Sequence, residues 1–541
     1  MPDVRAVATL LLVVVATIAH AGPQALEPRE PFRKFELADR PMHPHRLVVK
    51  FHDHVGARTT GDGTLASIRG IDLGGLIATL RASTDVPVRF EPLVELTEAQ
   101  LQHVLGDAAA KSGRAQPDLG AIMVVRVDDA DVMNVARTLH ASDLVEYVHF
   151  EQLWPEPPSG PNACSDIAPA TPQMSQFQDY LDEAPGLGMD AAWAHPGGDG
   201  AGVRIADCEY WYRPDHEDLC DVIPEPGQLP NPDIIARGWH EHGTAVLGQL
   251  VGGDNAYGVR GIAPEAEAWF FPESSASDPF RRVAAVTNAI ATMDAGDVVL
   301  LEMQAFGPGG DFAPAEIDPS IWQVTRVGVD RGVVVVAAAG NGNQNLDSSS
   351  YAEYRSRGNS GAIIVGAGTS TSAHSKLGFS TYGSRVNVQG WGQNVFTAGY
   401  GDFAIVGGDR DQSYTAFFAG TSSASPFIAG LAASLQGISK AATGEPLAPD
   451  ELRQLLIDTG RPQGGGGHIG PFPAAAAAVD ALLASLCRAD FDGDGELTLF
   501  DFLALQSSFA SGEARADFDG DGLLTIFDFL AFQSAFESGC P

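Results

Sequence analysis

Basic residues are scarce in this chain: 33 lysines and arginines stand against 69 aspartates and glutamates, for a formal charge of -36 over 541 residues. So negative a surface repels phosphate backbones and anionic lipid, which excludes nucleic acid and acidic membranes as partners and fits a soluble exported protein with an appetite for calcium. Long apolar runs are lacking too. The one sustained stretch, Val7 to Ile18, is too short for a hydrocarbon core about 30 Å thick, and no later run does better, so no membrane span is expected. With Arg5 before it and Ala19-His20-Ala21 after it, the stretch reads as a signal peptide over residues 1–21, and the protein as secreted or displayed at the cell surface. Cysteines number only five. Export permits disulfides. Cys487 and Cys540 bracket the last segment, and Cys164, Cys208 and Cys220 are an odd remainder, so at least one is a free thiol or pairs elsewhere.

The length calls for two to four domains. Residues 22–158 carry strand-like runs at Arg46–Phe51, Ala121–Val127 and Leu144–His149, with helical patterns near Leu76–Arg81 and Val132–Leu139, a small α+β unit. Trp154-Pro155-Glu156-Pro157-Pro158-Ser159-Gly160-Pro161 cannot continue a helix or a central strand and opens a linker through residues 159–180. Over residues 181–484, short β-branched runs (Val203–Ala206, Val298–Leu301, Val333–Ala339, Ala362–Val365) alternate with alanine-rich helical patterns, which predicts an α/β fold with a parallel sheet sandwiched by helices. Residues 487–541 form an internal repeat: Asp490-Phe491-Asp492-Gly493-Asp494-Gly495 returns as Asp517-Phe518-Asp519-Gly520-Asp521-Gly522.

Four short segments carry chemistry. Asp207 follows the Val203–Ala206 strand; His242 opens His242-Gly243-Thr244; Asn341 closes Ala337-Ala338-Ala339-Gly340-Asn341; Ser422 lies in Gly420-Thr421-Ser422-Ser423-Ala424-Ser425-Pro426. In this order, and with His216-Glu217-Asp218-Leu219 and Gly258-Val259-Arg260-Gly261-Ile262-Ala263-Pro264 between them, the segments resemble the subtilisin family over about residues 180–480. The resemblance implies a serine endopeptidase acting on protein or peptide substrates through an acyl-enzyme, without a catalytic cofactor. A serine hydroxyl is a weak nucleophile, so a neutral imidazole must take its proton and a carboxylate must hold that imidazole in one tautomer. The implied roles are Ser422 as nucleophile, His242 as general base, Asp207 as the orienting acid, and the Asn341 amide with the Ser422 backbone N–H as oxyanion donors.

The chain departs from that family in two places. Asp207-Cys208-Glu209 replaces the usual Asp-Thr-Gly, and the stretch to His216 is two residues longer than usual. Glu209 either assists His242 or rides the surface; the sequence does not choose. Glu302-Met303-Gln304-Ala305 replaces the glycine-rich strand on which relatives lay their substrate, so Glu302, Met303, Gln304 and Gly340 are the expected substrate-binding residues; Glu302 either favours a basic residue near the cleaved bond or is simply solvated or hydrogen-bonded. Residues 22–158 stand where the family has its pro-segment, implying a folding aid removed by self-cleavage between Trp154 and Gln176.

In the terminal repeat, Asp490, Asp492, Asp494, Gly495, Thr498 and Asp501 take loop positions 1, 3, 5, 6, 9 and 12, and Asp517, Asp519, Asp521, Gly522, Thr525 and Asp528 repeat them. Hard oxygens at alternate positions suit structural calcium, with the Glu496 and Leu523 carbonyls at position 7. Aspartate at position 12 departs from EF-hands and resembles dockerin repeats, and the terminal cysteines resemble the GC-type variety. That resemblance implies a Cys487–Cys540 disulfide, apolar helices over Phe500–Phe509 and Phe527–Phe536, and a cell-surface or scaffold docking partner.

Overall fold

A parallel strand covered on both faces must be apolar along its whole length, and Val334–Ala338, with all five residues buried, meets that condition. The computed structural model describes residues 26–34, 37, 45–84, 86–152, 166–219, 221–494 and 496–540. The signal stretch, the proline-rich start of the linker, Cys164, Cys220 and Gly495 lie outside the described residues.

The N-terminal unit is an antiparallel sheet of β1 (His45–Phe51), β2 (Arg89–Pro92), β3 (Ile122–Arg126) and β4 (Val145–Gln152) in the order β2-β3-β1-β4. Helices α1 (Gly74–Ala82), α2 (Glu98–Ser112) and α3 (Val132–Ala141) accompany it. Side chains alternate across a strand. Leu47, Val49, Met123 and Val125 therefore meet the unit's own core, while Val48, Ile122 and Val124 join the core of the next unit. The sequence reading missed β2 and α2. A reciprocal cap marked α2: Gln100 N–H donates to Thr97 Oγ1 at 3.3 Å, and Thr97 N–H to Gln100 Oε1 at 3.0 Å.

The central sheet comprises β5 (Arg204–Glu209), β6 (Ile223–Pro224), β7 (Glu267–Pro272), β8 (Val298–Leu301), β9 (Val334–Ala338), β10 (Ile363–Gly368) and β11 (Val388–Trp391). Its order is β11-β10-β9-β8-β5-β7-β6, all parallel. Ile205, Val298, Leu300 and Val336 face one core with the long helix Thr421–Thr443; Ala206, Val299, Leu301 and Val335 face the other with the helices Arg282–Thr292 and Pro319–Asp330. The helices that position the site are α4 (Pro232–Ala236), α5 (His240–Val251), α6 (Arg282–Thr292), α7 (Pro319–Asp330) and α8 (Thr421–Thr443).

The last segment holds α9 (Leu499–Ser511) and α10 (Ile526–Ser538) around a small core of Leu505, Ala516, Phe518 and Phe532. Cys487 and Cys540 are disulfide-bonded, their Cα atoms 4.8 Å apart, and Cys208 is a buried free thiol. Among the described residues no helix is long and apolar enough to cross a membrane.

Candidate active site

Strand parity puts Asp207 and Glu209 on the same face of β5, the face that looks towards α5 and α8. Their depths differ. Asp207 pairs with Phe270 on one side and Leu300 on the other, in the middle of the sheet; Glu209 ends the strand opposite Pro272. Carboxyl ends of parallel strands are where such folds open to ligands, and the imidazole stands at that level. His242 Nδ1 is bonded to Glu209 Oε2, and Glu209 Oε1 accepts the Tyr210 N–H at 2.7 Å.

This geometry does not fit the expectation that Asp207 orients the base. Asp207 is fully buried, and neither of its oxygens has a hydrogen-bond partner among the described residues. Burial and then the neighbouring Glu209 push its carboxyl well above the usual range. Burial also pushes Glu209 upward. Donors to a carboxylate favour its charged form, so the two donors to Glu209 favour charge there over Asp207, which has none among the described residues. The sequence held a signal for this: counted from Glu209, the stretch to His216 loses its two-residue excess.

Helix α5 comes close enough to Glu209 because Gly243 has no side chain. A Cβ there would lie 2.4 Å from the Trp211 carbonyl oxygen and 2.9 Å from Glu209 Cγ. Phe418 meets the imidazole edge to face at 5.4 Å. Burial pushes His242 below the ordinary histidine value, which keeps the ring neutral and able to accept a proton.

His242, Ser422 and Asn341 line one cavity of about 410 Å³ with Met303, Gln304 and Tyr400. Ser422 sits in the first turn of α8, just after Gly420 at φ 110°, where backbone N–H groups have no partner inside the helix. Asn341 Oδ1 accepts the Thr421 N–H at 2.8 Å and the Thr421 hydroxyl at 3.1 Å. With its oxygen so occupied, the amide's NH2 is left for the cavity.

The expected substrate residues divide. Met303 and Gln304 line the cavity, and Gln304 Oε1 also accepts the Asn341 N–H at 3.0 Å, so it steadies the oxyanion loop. Gly340 is not in the lining; its N–H donates to Thr421 Oγ1 at 3.2 Å, and a Cβ there would strike the Ala313 backbone at 2.8 Å. Glu302 touches the cavity but is 5% exposed, accepts the Ser425 hydroxyl, and is pushed well up by burial. A buried acid already engaged by Ser425 matches the hydrogen-bonded alternative for this residue. Tyr210, Arg237, Trp239 and Tyr400 also line the cavity. Sequence reasoning missed them because they belong to no motif.

In the terminal segment the carboxylate oxygens of Asp490, Asp492 and Asp494 lie within 4.8 Å of one another, and those of Asp517, Asp519 and Asp521 do likewise. Desolvation and the surrounding aspartates raise Asp492 above the usual carboxylate value, a crowding that a cation would relieve. Asp501 and Asp528 are buried and hold the loops shut: Asp501 accepts the Asp492 and Thr498 N–H groups, and Asp528 those of Phe518, Asp519 and Thr525. The Thr498 and Thr525 hydroxyls accept from Phe500 and Phe527 at 3.1 Å, capping α9 and α10.

Comparison with known proteins agrees with this architecture. Subtilisin amylosacchariticus of Bacillus subtilis subsp. amylosacchariticus is 28% identical over 239 residues, covering 43% of this chain and 55% of the relative. A calcium-dependent protease of Nostoc sp. is 28% identical over 288 residues, covering 45% of this chain and 40% of the relative. The chain thus spans about half the length of the curated relatives it matches. Fervidolysin from Fervidobacterium pennivorans, described as a keratinolytic enzyme related to subtilisin, shares the fold at a TM-score of 0.53 and 17% identity, over 84% of this chain and 64% of its own. The model of the subtilase family, Peptidase_S8, matches residues 150–475, more than half of the sequence, and the chain belongs to that family.

Proposed function

We propose that this protein is a secreted serine endopeptidase whose triad is Ser422, His242 and Glu209. The observation that carries the reading is an imidazole anchored at Nδ1 by a buried carboxylate, in the same cavity as Ser422 and Asn341. Ser422 Oγ attacks the scissile carbonyl carbon as His242 Nε2 takes the hydroxyl proton. Glu209 keeps the Nδ1 proton in place and balances the imidazolium. The carbonyl oxygen, now anionic, takes hydrogen bonds from the Asn341 amide and the Ser422 N–H, where one donor is typically worth about 2.7–4 kcal/mol. Collapse breaks the C–N bond, His242 returns the proton to the leaving amine, and a water repeats the sequence on the acyl-enzyme.

Three further assignments belong to this reading. Residues 22–158 act as a pro-segment that the enzyme removes itself, a reading supported by β4, whose His149, Phe150 and Glu151 lie beside Met303 and Gln304 of the catalytic cavity. The terminal segment holds two structural calcium ions on its aspartate loops, with the Glu496 and Leu523 carbonyls completing them; their role is to fix a segment with little core of its own. It also docks to a surface or scaffold partner, which the exposed Leu499, Phe500, Ile526 and Phe527 at matching positions of the two repeats support. The Cys487–Cys540 disulfide fits an oxidising compartment and hence export.

The test is labelling with a serine-directed fluorophosphonate together with casein hydrolysis. The wild type is expected to label and cleave, and Ser422→Ala to lose both, with a fall of about 10⁶ in kcat. A wild type that neither labels nor cleaves overturns the reading in favour of a peptide-binding protein.

A further inference from the structure

The catalytic cavity carries a cation that the hydrolysis does not use. Arg237 follows helix α4, and Gly238, at φ 72°, turns the chain sharply into Trp239 and α5. Both Arg237 and Trp239 line the cavity beside His242. The guanidinium lies 5.2 Å from the centre of the Trp239 ring, and Trp239 packs on Tyr210 with 5.1 Å between ring centres. The ion pair Arg237 makes with Asp233 is 3.9 Å long with both side chains nearly half exposed, a separation at which attraction in water is weak.

The rest of the lining does not neutralise it. Glu302, the acid of the same cavity, is buried and accepts the Ser425 hydroxyl, and burial pushes its carboxyl up. The chain's large negative charge is screened beyond about 8 Å at physiological salt, so at contact distance the guanidinium decides the local sign.

We propose that Arg237, backed by Trp239, is a specificity-determining residue that receives a carboxylate side chain of the peptide beside the scissile bond, so that Asp or Glu is preferred there. This rests on the endopeptidase reading above. A guanidinium presents a planar fork that takes both carboxylate oxygens at once, and an indole face behind it favours the cation without competing for its N–H groups. A glutamine side chain of the same length offers one acceptor and turns an NH2 towards the fork.

The experiment uses fluorogenic peptides alike except for Glu, Gln or Lys, placed in turn at the two residues before the scissile bond and the one after it. For the purified wild type, kcat/KM at one of these positions is expected to favour Glu over Gln by about tenfold or more, the scale of a charge-assisted pair over a neutral one, and mainly through KM. Arg237→Gln brings that ratio to about one, and Arg237→Glu turns the preference towards Lys. Asp233→Asn, which removes the competing carboxylate, raises the ratio. A merely structural Arg237 would slow all peptides alike and leave the ratio unmoved. Equal rates for Glu and Gln peptides at all three positions, in a wild type that labels and cleaves, overturn the inference and leave the protease reading standing. Absence of both labelling and cleavage removes the two together.

Discussion

Glu209 and Asp517 are both carboxylates at the edge of a structural element, and they are held by opposite means. Glu209 is fully buried; a strand end, the glycine-bared face of α5 and two donors leave it one position. Asp517 is partly exposed, takes the Gly520 and Gly522 N–H groups at 2.9 Å, and faces two other aspartates that repel it. Packing fixes the first, and the second sits in a loop proposed to bind calcium. Changes near Glu209 should therefore show in rate, and changes near Asp517 in stability.

The largest effect separates the two acids of β5. Replacing Glu209 by Gln removes the charge that steadies the imidazolium and is expected to lower kcat/KM about 10⁴-fold, the scale known for such an amide replacement. Asp207→Asn, which leaves the Glu209–His242 bond in place, should stay within about tenfold of wild type. Steady-state kinetics with a casein-derived peptide checks both, and the reverse ranking would return the orienting role to Asp207.

Smaller, and confined to the terminal segment, is the response to metal removal. With calcium a hundredfold above its Kd, mass action adds about 2.7 kcal/mol to that segment's stability. Chelation should lower its melting transition in scanning calorimetry of the full chain while peptide hydrolysis persists. Asp517→Asn should give part of the shift, and a scan indifferent to calcium would show that the loops stand without metal.

The last test concerns a buried acid away from the terminal segment. Asp218 accepts the Val259 N–H at 3.1 Å and the Tyr414 hydroxyl at 2.9 Å, and burial raises it from 3.8 to about 8. Its folded value lies above its unfolded one, so the folded chain binds the proton more tightly. The stability this contributes is complete below about pH 3.8 and is lost as pH rises towards 8. Urea midpoints at pH 5 and pH 8 should differ less in Asp218→Asn than in wild type.

How much of this was legible depended on whether a residue's task is local. Four of the sheet's seven strands announced themselves through unbroken apolar runs, and His242, Asn341 and Ser422 through their flanks, while the short Ile223–Pro224 and Val388–Trp391 did not. Glu267–Pro272, with polar Glu267 at its start and Pro272 at its end, hid a central strand that only its neighbours define. Glu209 was visible but undecided, because the choice between two acids two positions apart on one strand is made by the height at which α5 crosses, and Gly243 sets that height. Arg237 and Trp239 gave no signal, since their meaning comes from a turn that carries them over the cavity.

The seam between the N-terminal unit and the central sheet's helices governs the fate of a molecule cut in its linker. Val48, Val104, Ile122 and Val124 are part of the same apolar core as Val286 and Ile290 of α6 and Val324 and Val327 of α7. Arg114 reaches Asp330 at 2.9 Å, and Arg331 reaches Asp107 at 3.0 Å, across the same seam. Severing the backbone dissolves none of these contacts. If the linker is cut as proposed, the cleaved piece stays seated as a non-covalent subunit, and the lifetime of that two-chain stage is set by dissociation of the seam and not by the scission itself.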